Sequence, residues 1–351
     1  MEEEKSEVIQ EAENLLTRVE QKRNWDGLKM CLYKGFWCPV VILRTVLSSE
    51  NNFKAHETDI ILATMPRSGT VWLKALTFAI ANRHRFSITN TPLLVTSPHL
   101  LIPFLEFRVF KEHENPYLDD PIHSAPRIFA THLPRQALPN SIITKEGGCK
   151  CKIIYICRNP LDQFISFRHF LLANQSDNVV DQEYEPLPID EALEMFCQGT
   201  SLFGPFWDHV LGYWNMSLVE AQRVLFLKYE DLKEDIFCNI KKIAEFIGLR
   251  FSEDEEKQGV IEEIEKICSF ESLKSSESKA GKPGVERTKF HCGSWKINGD
   301  VAVSSTRCNH IVLLSSASSS ATIHSRRVTG FNGTIGSSNV LRAELHAPLR
   351  F

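Results

Sequence analysis

The chain has 351 residues, of which 43% are apolar and 24% are charged, and this is the composition of an ordinary globular protein. Its formal net charge of −4 excludes a global attraction to nucleic acid or to an anionic membrane. No apolar run reaches the length of about 18 residues that marks a membrane span. The acidic N-terminus, MEEEKSEVIQEAENLL, lacks the basic and apolar regions of a secretory signal. We therefore expect a cytoplasmic protein that binds neither nucleic acid nor membranes.

The cysteines give no sign of a metal site. The chain contains 10 of them, scattered in sequence, and we predict reduced thiols because a chain of this length can build a core without disulfides. Cys149 and Cys151 form a CxC pair, but no second pair follows at a spacing typical of zinc ligands.

Residues 1–24 have the pattern of a charged amphipathic helix. Residues 25–58 are rich in large aromatic rings, and we interpret this segment as a lid or gate. A short apolar strand is predicted at residues 59–64. It is interrupted by Pro66 and Gly69 and followed by a predicted helix at residues 71–83. Strand, tight turn and helix in this order are typical of a phosphate-binding α/β unit.

The alternation of strands and helices continues along the chain. We predict further strands at residues 127–131, 151–157 and 224–228, and helices at 160–173 and 232–247, the last of which stops at Gly248. This order predicts an α/β fold with a central parallel sheet flanked by helices.

The composition changes near residue 291. Residues 301–351 contain no lysine and a single acid, Glu344, against five arginines. We predict three parts: an acidic N-terminal helix at residues 1–24, one domain at 25–290 and a divergent, disordered tail at 291–351.

Two segments carry candidate ligand-binding residues. The first is Thr64-Met-Pro-Arg-Ser-Gly-Thr-Val-Trp72, where a turn before a helix presents unpaired N–H groups, the helix dipole and the side chains of Arg67, Ser68 and Thr70 to an anion. It lacks the GxxxxGK[ST] pattern of a Walker A loop, which argues against a P-loop kinase or NTPase. Taken alone, a turn of this composition could equally be purely structural.

The second segment begins with Arg158 at the end of a predicted strand. Ser166 follows about two helical turns into the next element, so both side chains can face the strand end where ligands bind in open α/β sheets. Taken alone, Arg158 would more simply pair with a nearby carboxylate.

Together, in this order, the two segments resemble the soluble sulfotransferase family, which uses 3′-phosphoadenosine 5′-phosphosulfate (PAPS). The first matches the family's TxPKSGTTW loop, and the second, Arg158-Asn159 with Asp162, Ser166 and His169-Phe170, matches RNxxDxxxSxxHF. Residues 128–134 and 204–214 resemble the plant branch, which sulfates flavonols, brassinosteroids, hydroxyjasmonates and desulfoglucosinolates. The resemblance runs from about residue 25 to about residue 290.

The resemblance implies a nucleotide site as well as an activity, with PAPS as co-substrate and no metal. It places Arg158 and Ser166 at the 3′-phosphate, Trp72 on the adenine, Tyr229 facing the nucleotide, and a segment with Cys268 and Phe270 closing over the base. The residues implied to line the 5′-phosphosulfate are Arg67, Ser68, Gly69, Thr70 and Val71.

His132, in a Thr-His-Leu-Pro stretch at a predicted strand end, is the candidate general base, because an imidazole suits removal of the acceptor's proton. The expected acceptor is a hydroxyl of a small apolar molecule of flavonoid, steroid or jasmonate type. Its pocket is expected to draw on aromatic residues that could equally belong to the core: Phe36, Trp37, Phe104, Phe107, Phe203 and Phe206. The oligomeric state does not follow from the sequence.

Two departures from the family pattern bear on activity. Arg67 stands where the family has a lysine near the leaving oxygen; we expect Arg67 to share in catalysis as an anchoring cation, although arginine does not readily transfer a proton. After Phe290 the chain lacks the family's phenylalanine-arginine-lysine-glycine segment, which completes the 3′-phosphate site. The alternative hypothesis is therefore a protein that binds PAPS or its product but has impaired or lost catalysis.

Overall fold

The structure is a computed structural model, and it describes residues 7–111, 126–143, 150–174 and 184–274. All of these residues belong to one compact unit. The predicted tail at residues 291–351 lies outside them.

The centre of the fold is a sheet of four parallel strands, β4 (Ile60–Thr64), β5 (Ile128–Thr131), β6 (Lys152–Cys157) and β7 (Val224–Lys228). Their order in the sheet is β5-β4-β6-β7. In the register of the sheet, Leu62 of β4 lies opposite Ala130 on one side and Ile154 on the other. The predicted parallel sheet is confirmed. The strands β5 and β6 lie on opposite sides of β4, so the order in which strands are added to the sheet reverses at β4. In open α/β sheets, ligands bind at such a point.

Helices cover both faces of this sheet. Alternating residues of β4 enter two separate apolar cores, Ile60 and Leu62 on one face and Ile61 and Ala63 on the other. The helices of the described chain are α1 (Glu7–Leu16), α2 (Leu43–Asn52), α3 (Thr70–Asn82), α4 (Pro98–Leu101), α5 (Asn140–Ile143), α6 (Pro160–Ala173), α7 (Ile189–Cys197), α8 (Phe206–Val219), α9 (Tyr229–Glu234), α10 (Ile236–Phe246), α11 (Glu253–Lys257) and α12 (Val260–Ile267). The first core packs on α3, α10 and α12, and the second on α5 and α8, so the strands are buried on both faces and read as apolar runs.

A second, antiparallel sheet is formed by β1 (Gln21–Arg23), β2 (Lys29–Tyr33) and β3 (Phe36–Pro39). Two backbone hydrogen bonds join it to the segment before α8, from the N–H of Trp37 to the carbonyl of Gly204 and from the N–H of Phe203 to the carbonyl of Trp37, at 2.9 and 2.8 Å. The segment interpreted as a lid therefore contributes a sheet that supports Phe203.

The prediction of one helix over residues 1–24 is wrong in its second half. The helix α1 ends at Leu16, and Gln21–Arg23 pairs with β2, where Lys22 lies opposite Met30. Antiparallel pairing with the next strand of the chain overrides the helical pattern of these charged residues.

The prediction of one helix over residues 232–247 is also wrong. Asp235 interrupts it with an extended backbone, and its carboxylate accepts the N–H of Cys238 at 3.0 Å, so it ends α9 and caps α10. Gly248 has a φ of 79° and terminates α10 as predicted.

Two further findings concern the described residues only. Cys31, Cys38, Cys151, Cys157, Cys238 and Cys268 are free thiols. Cys197 is disulfide-bonded, so the prediction of reduced thiols is wrong for that residue. Among these residues, no helix combines the length and the apolar character that crossing a bilayer requires.

Candidate functional site

The turn between β4 and α3 is shaped to receive an anion. Gly69 is the N-cap of α3 with a φ of 101°, and no side chain in the described ranges caps the helix, so its first N–H groups remain available to a ligand. A Cβ at this position would lie 2.8 Å from a ring carbon of Tyr229. Gly69 is therefore required both for its backbone conformation and for the close approach of Tyr229.

Two side chains of the turn add to this arrangement. Arg67 has a φ of 67°, a conformation that costs energy in a residue other than glycine and recurs at ligand sites. Ser68 is fully buried, and its Oγ has no hydrogen-bond partner among the described residues. A buried hydroxyl without a hydrogen-bond partner lowers the stability of the folded chain, so Ser68 is suited to bond a ligand that reaches the turn.

The second predicted segment lies against this turn. Arg67 Nε donates to Ser166 Oγ at 3.2 Å, and an Nη of Arg158 donates to the carbonyl of Arg67 at 3.2 Å. The Nε of Arg158 is buried and lacks a partner within the described chain. Its carboxylate neighbour, Asp162, is 4.0 Å away and more than half exposed, so that ion pair is weak. The structure thus brings together two segments that lie about 90 residues apart in sequence.

The residues predicted to hold the adenine fall into two groups. Trp72 and Tyr229 lie beside the turn, with ring centroids 5.7 Å apart in an edge-on arrangement, and the guanidinium of Arg158 lies 4.8 Å from the Tyr229 ring. Cys268 is fully buried in the core with α3, and burial raises the pKa of its thiol. Phe270 is 62% exposed and makes no ring contact with Trp72 or Tyr229 in the described part of the chain. Of the four residues predicted to hold the adenine, only Trp72 and Tyr229 therefore lie together beside the turn.

His132 follows β5 and contacts the same turn. Its Nδ1 is 2.7 Å from the carbonyl of Thr64, and because a carbonyl only accepts, Nδ1 carries the proton and Nε2 the free electron pair. The Thr64 hydroxyl is 3.1 Å from His132 Nδ1 and 2.8 Å from the hydroxyl of Thr70, so it links the imidazole to the first residue of α3.

The protonation state of His132 follows from its surroundings. Burial lowers its pKa, the bond to the Thr64 carbonyl raises it, and the charges of Lys74 and His209 lower it, with a net pKa of about 3. The imidazole is therefore neutral near pH 7, which is the form that accepts a proton.

Three aromatic rings surround His132. The ring centroids of Phe104, Phe107 and Phe203 lie 4.7, 6.1 and 5.6 Å from that of the imidazole. Phe203 has a φ of 63°, a second strained position at the site. The other predicted pocket residues, Phe36, Trp37 and Phe206, are buried elsewhere without a ring contact to His132 in the described ranges, so for them the core interpretation holds.

Several residues of the site escaped the sequence analysis. Glu106 Oε1 accepts the main-chain N–H of His132 at 2.6 Å, His209 Nε2 donates to the carbonyl of His132 at 3.0 Å, and Gln163 donates to the carbonyl of Pro66 at 2.7 Å. The only sequence signal was Glu106 itself, a single acid within the apolar stretch from Leu100 to Phe107. No group of three or more His, Cys, Asp or Glu side chains in the described ranges is arranged to hold a metal ion.

Comparison with known proteins identifies the family of this site. Residues 57–298 match the model described as "Sulfotransferase domain". The chain is 42% identical to cytosolic sulfotransferase 15 of Arabidopsis thaliana over 258 residues, which cover 72% of this chain and 69% of that protein. Cytosolic sulfotransferase 14 of the same plant is 41% identical over 260 residues, which cover 72% of both.

A solved structure gives the same result for the fold. The structure of a candidate steroid sulphotransferase from Arabidopsis thaliana superimposes with a TM-score of 0.64 at 38% identity, over 80% of this chain and 97% of that one.

Proposed function

Because this chain belongs to the sulfotransferase family and is a PAPS-dependent sulfotransferase, we propose that His132 is its general base and that the turn at residues 67–72 holds the donor. The observation that carries this proposal is the hydroxyl of Thr64, which bonds both His132 and Thr70. It sets the base next to the anion-binding helix start, where an acceptor oxygen has to meet the donor.

The donor site is assembled from residues that fit its anionic groups. PAPS, when bound, supplies the sulfuryl group. The uncapped start of α3, Ser68 and Arg67 suit the 5′-phosphosulfate, with Gly69, Thr70 and Val71 forming the backbone cradle. Arg158 and Ser166 suit the 3′-phosphate, because the Nε of Arg158, which has no partner among the described residues, is a charged donor.

The adenine is held, in this proposal, chiefly by Trp72 and Tyr229, which lie together beside the turn. The segment of Cys268 and Phe270 reaches the base only if Phe270 moves from its exposed position. Arg67 contributes a permanent charge beside the leaving group, as an anchor that does not transfer a proton.

The proton moves to Nε2 of His132, whose electron pair is free because Nδ1 donates to the Thr64 carbonyl. The same hydrogen bond favours the protonated imidazole and offsets part of the cost of charging a buried ring. The negative groups held at the adjacent turn act in the same direction.

The acceptor is a flat apolar molecule with a free hydroxyl, of flavonoid, steroid or jasmonate type. Support comes from the three phenylalanines around His132, which offer apolar surface and no competing polar group. It also comes from the relative described as a candidate steroid sulphotransferase. Since the relatives are named cytosolic, we place this activity in the cytoplasm.

The test is transfer of labelled sulfate from PAPS to a panel of flavonols, hydroxysteroids and hydroxyjasmonates, each paired with its O-methylated analogue. We expect label in the hydroxyl compounds of at least one class and none in their methylated partners. Unlabelled adenosine 3′,5′-bisphosphate should compete and ATP should not. Binding of that nucleotide without transfer to any acceptor would favour the alternative hypothesis, a protein that binds PAPS or its product without catalysis. The relatives give no support to that alternative.

A further inference from the structure

We propose that Glu106 is a positioning residue for sulfuryl transfer, whose buried carboxyl holds the main chain of His132 and so keeps its imidazole aligned with Thr64. The inference rests on the proposed role of His132 as the base.

The backbone around Glu106 aims its side chain at the end of β5. Glu106 lies in a π-helical turn, Leu105–Val109, a rare element that recurs at functional sites. The hydroxyl of Thr45 donates to the Glu106 carbonyl at 2.6 Å and fixes the turn to α2. From this position, Glu106 Oε1 accepts the His132 N–H at 2.6 Å.

A purely structural role would not require a carboxyl group to accept this hydrogen bond. A main-chain N–H is satisfied by any neutral acceptor, whereas Glu106 is fully buried, and its Oε2 has no partner among the described residues. Lys74 of α3 acts on it as a cation when protonated, while burial lowers the pKa of Lys74 well below its usual range; the Lys74 side-chain nitrogen contacts the Ile102 carbonyl, His99 and the Phe104 ring. Once ionised, the carboxylate makes a shorter and stronger bond to the N–H than a neutral group does, so it fixes His132 more rigidly.

The backbone of His132 is held on both sides. Glu106 takes its N–H, and Nε2–H of the fully buried His209 donates to its carbonyl at 3.0 Å. One residue on, the hydroxyl of Tyr213 donates to the Leu133 carbonyl at 2.7 Å. With the main chain fixed, the imidazole reaches Thr64 in one orientation. Misplacement of a reacting group by about 1 Å can cost on the order of 100-fold in rate.

The variants Glu106→Ala and Glu106→Gln test the role, with Glu50→Ala and Glu50→Gln as controls. Glu50 is also a buried carboxyl, but it bonds the hydroxyl of Tyr33 and the ammonium of Lys34. We expect Glu106→Ala to lower kcat by roughly 10- to 100-fold, with acceptor KM and nucleotide affinity within about threefold of the parent. Glu106→Gln should recover part of the loss, because its amide oxygen still accepts the N–H but makes the weaker bond of a neutral group. Both Glu50 variants should turn over like the parent.

A double-mutant cycle with His132→Ala distinguishes positioning from general structural support. If Glu106 acts through His132, Glu106→Ala should have no further effect in the His132→Ala background. Additive losses, parental turnover in Glu106→Ala, or equal losses of kcat and nucleotide affinity would each overturn the inference. Should Glu106→Ala fail to fold, Glu106→Asp replaces it in the cycle, because it keeps the acid but shortens its reach.

The ¹⁵N resonances of the His132 ring give a second readout. They should show a single Nδ1–H tautomer in the parent and a mixture of tautomers in Glu106→Asp. An unchanged single tautomer together with parental turnover would contradict the positioning role. Full turnover of His132→Ala would instead refute the proposed base itself, so the two failures are distinguishable.

Discussion

At the scale of single residues, Arg158 makes a prediction that separates a ligand-binding arginine from a structural one. Its carboxylate neighbour is 4.0 Å away, and its Nε is buried without a partner in the described chain. We expect Arg158→Ala to weaken the binding of adenosine 3′,5′-bisphosphate by about 1.5–3 kcal/mol, the contribution of a charged hydrogen bond. Binding of adenosine 5′-monophosphate, which lacks the 3′-phosphate, should barely change.

Calorimetry with both nucleotides measures this difference, and Arg223→Ala is the matched control. The Arg223 side chain is 19% exposed against 17% for Arg158, but it pairs with Glu220 next to the other end of β7. Equal loss of affinity for both nucleotides in Arg158→Ala would mean that Arg158 only supports the fold.

Glu106 also makes a prediction about stability. Burial raises its pKa from 4.5 to about 7, so between these values the folded chain binds a proton that the unfolded chain releases. The contribution of Glu106 to the unfolding free energy should therefore fall by about 3 kcal/mol as the pH rises from 4.5 to 7, and this fall should appear as the difference between the pH curves of the parent and Glu106→Gln. Urea unfolding at several pH values from 5 to 8 measures it. Parallel pH curves for parent and variant would contradict the assignment.

At the scale of elements, the helix α6 joins a cap to Ser166, the residue proposed to bind the 3′-phosphate. Asn159 accepts the N–H of Leu161 at 3.0 Å and begins the helix that carries Ser166. We expect Asn159→Ala to lower the stability by about 1 kcal/mol, as the loss of other N-caps does. It should also weaken the binding of adenosine 3′,5′-bisphosphate severalfold. Ser252→Ala removes the cap of α11, remote from the turn, and should lower stability without changing nucleotide affinity. Identical nucleotide affinity in both variants would mean that the start of α6 does not position Ser166 for the nucleotide.

Strand and helix prediction succeeded where local signals were strong. The strands of the parallel sheet are apolar runs between breakers, and Asn159-Pro160 marks the start of α6. It failed at residues 21–23 and at Asp235, where pairing with β2 and a side-chain cap decide the structure. Neither contact leaves a periodic signal in the sequence.

The same distinction applies to the site. The turn at Arg67 and the segment at Arg158 could be found because each has a local pattern of residues. The partners of His132 could not, since Glu106 and His209 lie 26 and 77 residues from it in sequence and meet it only through the packing of the π-helical turn and α8 on the sheet. Phe36 and Phe206 show the converse, because an aromatic residue in sequence does not reveal whether its ring lines a pocket or a core.

At the scale of the whole molecule, the chain reverses across the sheet at β4, which places the turn, Arg158 and His132 at neighbouring strand ends. In the proposed site, the described residues offer cations to the 3′-phosphate from one direction only, through Arg158 and the turn. The residues after Phe290 lie outside the described ranges and lack the arginine-lysine-glycine segment of the family pattern.

We therefore expect a chimera with a family-type segment after Phe290 to bind PAPS more tightly by roughly one to four powers of ten, the contribution of one or two charged hydrogen bonds. Calorimetry on the parent and the chimera measures the gain. Equal affinity and equal turnover would mean that this chain completes the site in another way.

The central claim is that His132 takes the acceptor's proton beside a donor held at the turn. The most direct test is the rate of labelled-sulfate transfer by His132→Ala at saturating PAPS, measured together with the affinity for adenosine 3′,5′-bisphosphate. We predict that kcat falls by roughly 10²–10⁴ while the nucleotide affinity stays nearly unchanged. Turnover equal to that of the parent would contradict the account and remove His132 from the reaction.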